Sequence, residues 1–379
     1  MRKPEFYKGK EQTYLKHFFL EKYLQRVAFH IGFAYPRFIY VDGFSGPWRA
    51  QGDDLSDTSF RIALEQLNYV QTALAAPPHH KYPKIEAIFV EQDLSAFTAL
   101  QKAVNEYKGS IKVTPMPGTF EANIPKILDL VGTAFVFFFI DPTGWKGFGM
   151  NSIKPILNHR PGEVIINFMY DYINRFLNSN DPKTEASLDA LFGTEKWRVL
   201  RDVQDREYAI VDFYREQVRL AGGFQFVTST RILKPTHDRA YYHLIYATRN
   251  QKGIMEFRAV EKTAVSEQEQ VRSTAKREAR EDKSGQSELD LGLLGSADHQ
   301  FEQDRSNQLR RAEERVEKLL HGHVLDYAYV APRILELPLV WESDLKALLL
   351  KMRDAGKIRI DGLGARGRTP KPGCRLSVI

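Results

Sequence analysis

The chain has 379 residues, is 43% hydrophobic and 12% aromatic, and holds a single cysteine, Cys374. That length and apolar content suit a packed protein with one large α/β domain and a smaller one, and one cysteine excludes an internal disulfide or a cysteine-built metal centre. The net charge is +6, but residues 345–379 alone carry nine Lys/Arg against Asp354 and Asp361, an excess of +7, so the rest of the chain is close to neutral and the basic end suggests a polyanionic partner.

Apolar positions recurring at three and four residues predict an amphipathic helix over 13–30. A strand at 38–41 runs into "DGFSGPW", where Asp42 precedes a turn bounded by Gly43 and Gly46 around Phe44 and Ser45. Such a turn lets the backbone approach a ligand closely. A helix over 58–75, capped by Asp57 or Thr58, comes next, then the strand "IEAIFVEQD" at 85–93. A helix at 94–107, a short strand at 111–114 and a helix at 120–131 lead to "AFVFFFIDP" at 134–142 and "EVIINFM" at 163–169. Helices between 176 and 225 are not placed by the pattern, and strands near 226–233 and 240–250 complete a sheet.

Solidly apolar strands alternating with helices predict a parallel sheet covered on both faces. Asp42, Glu91, Asp141 and Asn167 all fall at the carboxyl ends of strands, the edge where open α/β sheets bind ligands. "DGFSGPW" is not the G-x-G-x-x-G of a dinucleotide site, and no P-loop follows a strand. The adenosine ligand that lacks phosphate is S-adenosylmethionine (SAM). Its methionine part needs a glycine turn, here Asp42, Gly43, Phe44 and Gly46. Its ribose hydroxyls need a carboxylate at the second strand's end, Glu91, with Asp93 as the weaker claimant because it also suits a helix cap. Thr119 and Phe120, after the third strand, stand where the adenine would lie.

"DPTG", with Asp141 and Pro142, is similar to the D-P-P-[YFW] element of amino-methyltransferases. There an acid and a backbone carbonyl accept the hydrogens of an exocyclic amine and an aromatic ring stacks on the extruded base. Asp141, Pro142 and Asn167 are the expected acceptor-site residues, and Trp145 the expected stacking ring. Arg175 either contacts a phosphate or pairs with Asp171 four residues before it on a helix. Lys16 and His17, on the first helix, would lie over the glycine turn.

Residues 263–304 are charged and poor in large apolar side chains, which predicts a linker. Helices at 307–323 and 342–358, the second capped by Ser343, then precede two strands joined by a basic Gly/Pro-rich loop, the outline of a winged helix-turn-helix over 305–379. Arg366, Arg368 and Lys371 of that loop would contact nucleic-acid phosphates. His79-His80 lies in a proline-rich turn, and no metal site is expected. No apolar run approaches the ~18 residues that a membrane span needs, and "MRKPEFYKGKEQTYLKH" lacks the apolar core of a secretory leader. A cytoplasmic protein is expected.

"YLKHFFLEKYL", "YVDGFSGP", "IFVEQD", "FFIDPTGW", "EVIINFMYDYINRF" and "YYHLIYATRNQKG" together resemble the three-Cys-motif partner (TcmP) proteins, bacterial and methyltransferase-like. The resemblance implies a Rossmann-like seven-stranded SAM-dependent methyltransferase domain over 1–262 with an appended winged helix. It also implies a neighbouring three-cysteine protein as partner. The family's D-P-Y-G reads Asp141-Pro142-Thr143-Gly144 here, which removes the aromatic ring from position 143. The expected function is SAM-dependent methylation of DNA, RNA or a nucleotide-derived group. The alternatives are a non-catalytic nucleic-acid-binding partner that keeps the fold as scaffold, and a small-molecule methyltransferase.

Overall fold

The structure, a computed structural model, describes residues 4–46, 58–284, 298–363 and 369–379. After a 3₁₀ turn at Pro4–Tyr7, helix α1 (Glu11–Ala34) leads into strand β1 (Arg37–Asp42). Helix α2 (Ser59–Ala75), β2 (Lys84–Glu91), α3 (Leu94–Glu106), β3 (Lys112–Pro117), α4 (Phe120–Val131) and β4 (Phe135–Ile140) follow in strict alternation. Helix α5 (Met150–Leu157) precedes β5 (Gly162–Phe168) and α6 (Tyr170–Phe176). The stretch that the pattern left unplaced forms α7 (Pro182–Phe192), a 3₁₀ segment at Glu195–Asp202, and α8 (Arg206–Gly222), before β6 (Phe226–Leu233) and β7 (Ala240–Thr248).

These strands form one seven-stranded sheet in the order β3-β2-β1-β4-β5-β7-β6. β1 pairs in parallel with β2 and β4, β2 with β3, and β4 with β5, while β7 runs antiparallel to β5. The expected seven-stranded Rossmann-like sheet is present. All six residues of β4 are buried, as a central strand covered on both faces requires. Ile39 and Val41 of β1 belong to the core that α4, α5, α7 and α8 help to build. On the other face Phe89 packs against Tyr40 and against Phe60 of α2, while Phe137 meets Tyr23 of α1. Because β2 and β4 lie on opposite sides of β1, the chain changes direction at the carboxyl end of β1, and there the crevice of an open α/β sheet lies.

The chain divides into two compact units, Met1–Val227 with Arg231–Arg249, and Thr228–Thr230 with Asn250–Ile379. The second contains α9 (Gln251–Ser284), α10 (Asp298–Leu320), β8 (Leu325–Asp326), α11 (Tyr327–Ile334), α12 (Glu342–Asp354), β9 (Ile358–Asp361) and β10 (Arg375–Val378). β10 pairs antiparallel with both β8 and β9. Val316, Leu320, Val330, Ile334, Leu345, Leu349, Ile358 and Leu376 are all buried in this unit.

Two expectations are corrected here. Residues 263–284 continue helix α9, and Ala264, Val265 and Val271 are buried, so the linker reading fails for that stretch. Its apolar side chains are small, and its long polar ones are partly buried too: Arg272 is 1% exposed and pairs with Glu269 at 3.4 Å. Ser343 does not cap α12; the Trp341 amide donates to Asp344 Oδ2 at 2.9 Å, and the helix starts two residues earlier than a Ser343 cap would place it. At α2 the cap is Thr58, whose Oγ1 accepts the Arg61 amide; Asp57 lies outside the described residues.

Candidate functional site

The turn after β1 is built by its own side chains. Asp42 is fully buried; Oδ1 accepts the Phe44 amide at 3.0 Å and Oδ2 accepts the Ser59 hydroxyl at 2.9 Å. Burial, together with the charge of Asp141, pushes its carboxyl from the usual 3.8 up to about 7, against the opposing pull of these hydrogen bonds and of Lys16. Gly43 donates to the Phe139 carbonyl and Ser45 to that of Val90, which ties the turn to β4 and β2. A Cβ at Gly43 would lie 2.9 Å from the Phe120 ring. The glycine is therefore required by an aromatic side chain of α4, not only by a ligand. Gly46 is half-buried, and the residues after it lie outside the described ones.

Beside this turn is a cleft of about 260 Å³ lined by Gly43, Phe44, Glu91, Asp93, Phe120 and Thr143, among others. Glu91 is 4% exposed, burial raises its carboxyl, and its Oε1 accepts the Asp93 amide. Asp93 lines the same cleft, but its Oδ1 caps α3 by accepting the Ala96 amide at 2.8 Å. Across the cleft Gly118 holds a φ of +100°, a conformation that favours glycine, and its amide donates to the Glu91 carbonyl. Thr119 caps α4 through its hydroxyl and is not a wall of the cleft; Gly118 and Phe120 on either side of it are. Asn123 Nδ2 bonds the Pro117 and Thr119 carbonyls at 2.9 Å each and fixes the turn between them.

At the ends of β4 and β5, Asp141 and Asn167 meet as expected, with Asn167 Nδ2 donating to Asp141 Oδ1 at 2.7 Å. Lys16 completes the group, its Nζ 2.6 Å from Asp141 Oδ2. Lys16 therefore reaches the end of the fourth strand, and its charge also bears on Asp42 at the start of the glycine turn. Asn167 Oδ1 is buried without a hydrogen-bond partner among the described residues. Pro142 is buried behind this group. His17 is a core residue: it is 5% exposed, bonded to the Tyr7 hydroxyl at 3.2 Å, and pushed down to about 3 by burial and by Lys16.

Trp145 is not placed to stack on a base. Its indole N–H donates to Ser187 of α7 at 2.9 Å and its ring packs at 5.0 Å from Phe176. The aromatic ring, one residue late for the motif, is half-buried and packs against the core. Arg175 pairs with Asp171, as the i,i+4 spacing allows, at 3.4 Å. Lys371 is exposed in the second unit, and Arg366 and Arg368 lie outside the described residues. Gly118 and Thr143 were not read as cleft walls from sequence. The "PGT" turn before α4 is the sequence signal for the first, and the second carries none, since a threonine stands where the D-P-Y-G pattern has its tyrosine.

No family model matches the chain, and no curated protein is similar to it. Among solved structures it is similar to an O-methyltransferase of tomaymycin synthesis from Streptomyces achromogenes, in complex with SAM. That match has 16% identity and a TM-score of 0.30, and spans 60% of this chain and 78% of that one. An O-methyltransferase from Bacillus cereus with S-adenosylhomocysteine (SAH) matches at 12% identity and a TM-score of 0.31, over 60% and 79% of the two chains. Loganic acid methyltransferase with SAH matches at 11% identity and a TM-score of 0.29, over 74% and 92%. At these scores the likeness decides nothing about this chain's chemistry. No helix among the described residues is long and apolar enough to cross a membrane.

Proposed function

We propose that the protein is a cytoplasmic SAM-dependent methyltransferase acting on nucleic acid or a nucleotide-derived group, together with a three-cysteine partner protein. The observation that carries the reading is Glu91, a buried carboxylate at the end of β2 lining a cleft whose other walls are the aromatic rings of Phe44 and Phe120. A carboxylate for two ribose hydroxyls beside apolar walls for a purine fits adenosine. The glycine turn at Gly43 and Gly46 adjoins it on the side of β1, where the methionine part would lie.

Bound there, the cofactor supplies an electrophilic methyl group. The chain's own residues then have to orient the acceptor and take up its proton. Asp141 and Asn167 stand at the same sheet edge, and the unpartnered Asn167 Oδ1 is an acceptor suited to an N–H or O–H of the incoming group. From α10 onward the second unit orders its elements as helix, strand, two helices and a strand pair, which supports the winged-helix reading.

A second reading, a nucleic-acid-binding scaffold without catalysis, is favoured by one observation: Lys16 already neutralises Asp141 at 2.6 Å. Calorimetry separates the two. The protein is expected to bind SAM and SAH, and Glu91→Ala to weaken both by roughly 10- to 100-fold, the effect of losing a charged hydrogen bond. No heat with either ligand overturns the methyltransferase reading and leaves the scaffold.

A further inference from the structure

The pairing of Arg175 with Asp171 is only part of a larger cluster. Asp171 is 3% exposed, and its two oxygens also accept Lys234 Nζ at 2.9 Å and Arg239 at 3.0 Å. Three cations thus converge on one buried carboxylate, and a buried carboxylate is already compensated by one. Asp238, exposed in the same hairpin, still leaves cations ahead by three to two. Nearby Arg231 is matched by Glu207 at 2.7 Å, and Glu207 also holds His243 at 3.1 Å, so that pair adds nothing to the excess.

The two guanidiniums are open to solvent, Arg175 at 61% and Arg239 at 64% exposed. Each carries five N–H donors in a planar fork, of which one nitrogen is spent on Asp171. Aromatic rings back the cluster: the Arg175 guanidinium lies 5.5 Å from the Tyr172 ring centroid and Lys234 Nζ 5.8 Å from that of Tyr241. A carboxylate that holds arginine forks in place, with their outer donors turned to water and tyrosines beneath, is the chemistry of phosphate recognition. Its location matters as much. Asp171 lies four residues past Asn167, at the start of the helix that follows β5. Tyr241 precedes Tyr242, whose hydroxyl bonds the Gln12 carbonyl and whose proton is held more tightly by burial and then by the charge of Asp141.

We infer that Arg175, Lys234 and Arg239 form a phosphate-ester platform beside the acceptor group of Asp141 and Asn167, with Asp171 as its positioning residue. This rests on the methyltransferase reading for its purpose but not for its ligand. The substrate would carry its methyl acceptor on a nucleotide, either free or within a strand, and the platform would take the phosphate flanking that nucleotide.

The test uses the full-length protein and calorimetric titration with CMP and UMP, chosen to avoid an adenosine pocket, and separately with single-stranded DNA and RNA oligonucleotides at several salt concentrations. The doubly substituted Arg175→Gln/Arg239→Gln protein keeps Lys234 to pair with Asp171. It is expected to bind the platform's ligand about tenfold more weakly or worse, with a salt slope shallower by about 0.7 for each single-strand phosphate no longer neutralised. Arg239→Lys is expected to restore part of the affinity, and the SAM titration to be unchanged. Weakening with mononucleotides identifies a free nucleotide substrate, and weakening with oligonucleotides alone a polynucleotide. Arg239→Gln, made at a largely exposed side chain, guards against a misfolded double variant. Wild-type protein that binds none of these probes, or variants that bind them as well as wild type, overturns the platform. Absence of SAM binding overturns only the methyltransferase reading, since the phosphate titrations are read without it.

Discussion

Asp42 shows how one residue can be legible by position and misread by role. Its place at the end of an apolar strand marks the site, yet the carboxylate spends its oxygens on the Phe44 amide and the Ser59 hydroxyl. It shapes the loop and does not line the cleft. Its folded pKa of about 7 lies above the usual 3.8, so between those values the folded protein holds the proton more tightly than the unfolded chain does. The stability from this group is complete below about pH 4 and is lost as pH rises toward 7. Asp42→Asn has no charge to bury, and its amide nitrogen can donate to the Ser59 hydroxyl. The substitution is expected to flatten the pH dependence of the urea midpoint between pH 4 and 7, where the wild-type slope reaches up to about 1.4 kcal/mol per pH unit. Identical slopes for the two proteins would remove Asp42 from the account. Gly43 teaches the same lesson: a glycine before an aromatic-serine pair reads as room for a ligand, whereas the nearest neighbour its Cβ would strike is Phe120.

Among the elements, α9 departs furthest from what composition suggests. A stretch rich in Glu, Arg, Lys and Gln reads as a solvated linker because burial of charge is costly. Pairing within the helix meets that cost: inside the stretch Arg272, 1% exposed, lies 3.4 Å from Glu269, and just ahead of it Arg258 and Glu261, 1% and 0% exposed, join at 2.6 Å three residues apart, where Arg258 Nε also donates to the Leu335 carbonyl. Glu261→Gln would leave the guanidinium buried without its counterion, and is expected to cost about 3–5 kcal/mol in chemical denaturation. A loss below about 1 kcal/mol, the range of exposed ion pairs, would mean that this pair is not buried as the structure places it. Limited proteolysis gives an independent check, since residues 263–281 should resist cleavage if they are held as the structure places them. β1, β2, β4 and β5, by contrast, are legible in the sequence, because parallel strands covered on both faces are solidly apolar runs.

At the scale of the whole molecule, the basic excess over residues 345–379 is less available than the count suggests. Lys357 bridges Glu313 and Glu317 of α10 at 2.6 and 3.0 Å, Lys346 pairs with Glu342, and Arg353 and Arg359 pair with their neighbours Asp354 and Asp361. Phosphate binding by this end would therefore fall to Lys351, Arg375 and the three cations between β9 and β10 in the sequence, Arg366, Arg368 and Lys371. Replacing these last three with Gln is expected to shallow the salt dependence of duplex-DNA binding by roughly 0.9 for each phosphate that is no longer neutralised, with the thermal midpoint unchanged. If the slope is unaltered, the basic loop is only a solvated surface.

By itself the amino-acid order determined the alternation of strands and helices, the sheet edge that collects Asp42, Glu91, Asp141 and Asn167, and, at the C-terminal end, two helices and a strand pair, though not α11 between those helices. These follow from local periodicity, burial and turn chemistry, which act over a few residues. Only the tertiary structure decided which side chains meet: Lys16 on Asp141, Phe120 over Gly43, Trp145 against the core, and Lys234 and Arg239 on Asp171 from 63 and 68 residues away. The reason is physical. Such pairings depend on where the sheet order brings distant segments together, and neither the spacing nor the composition of either segment contains that information.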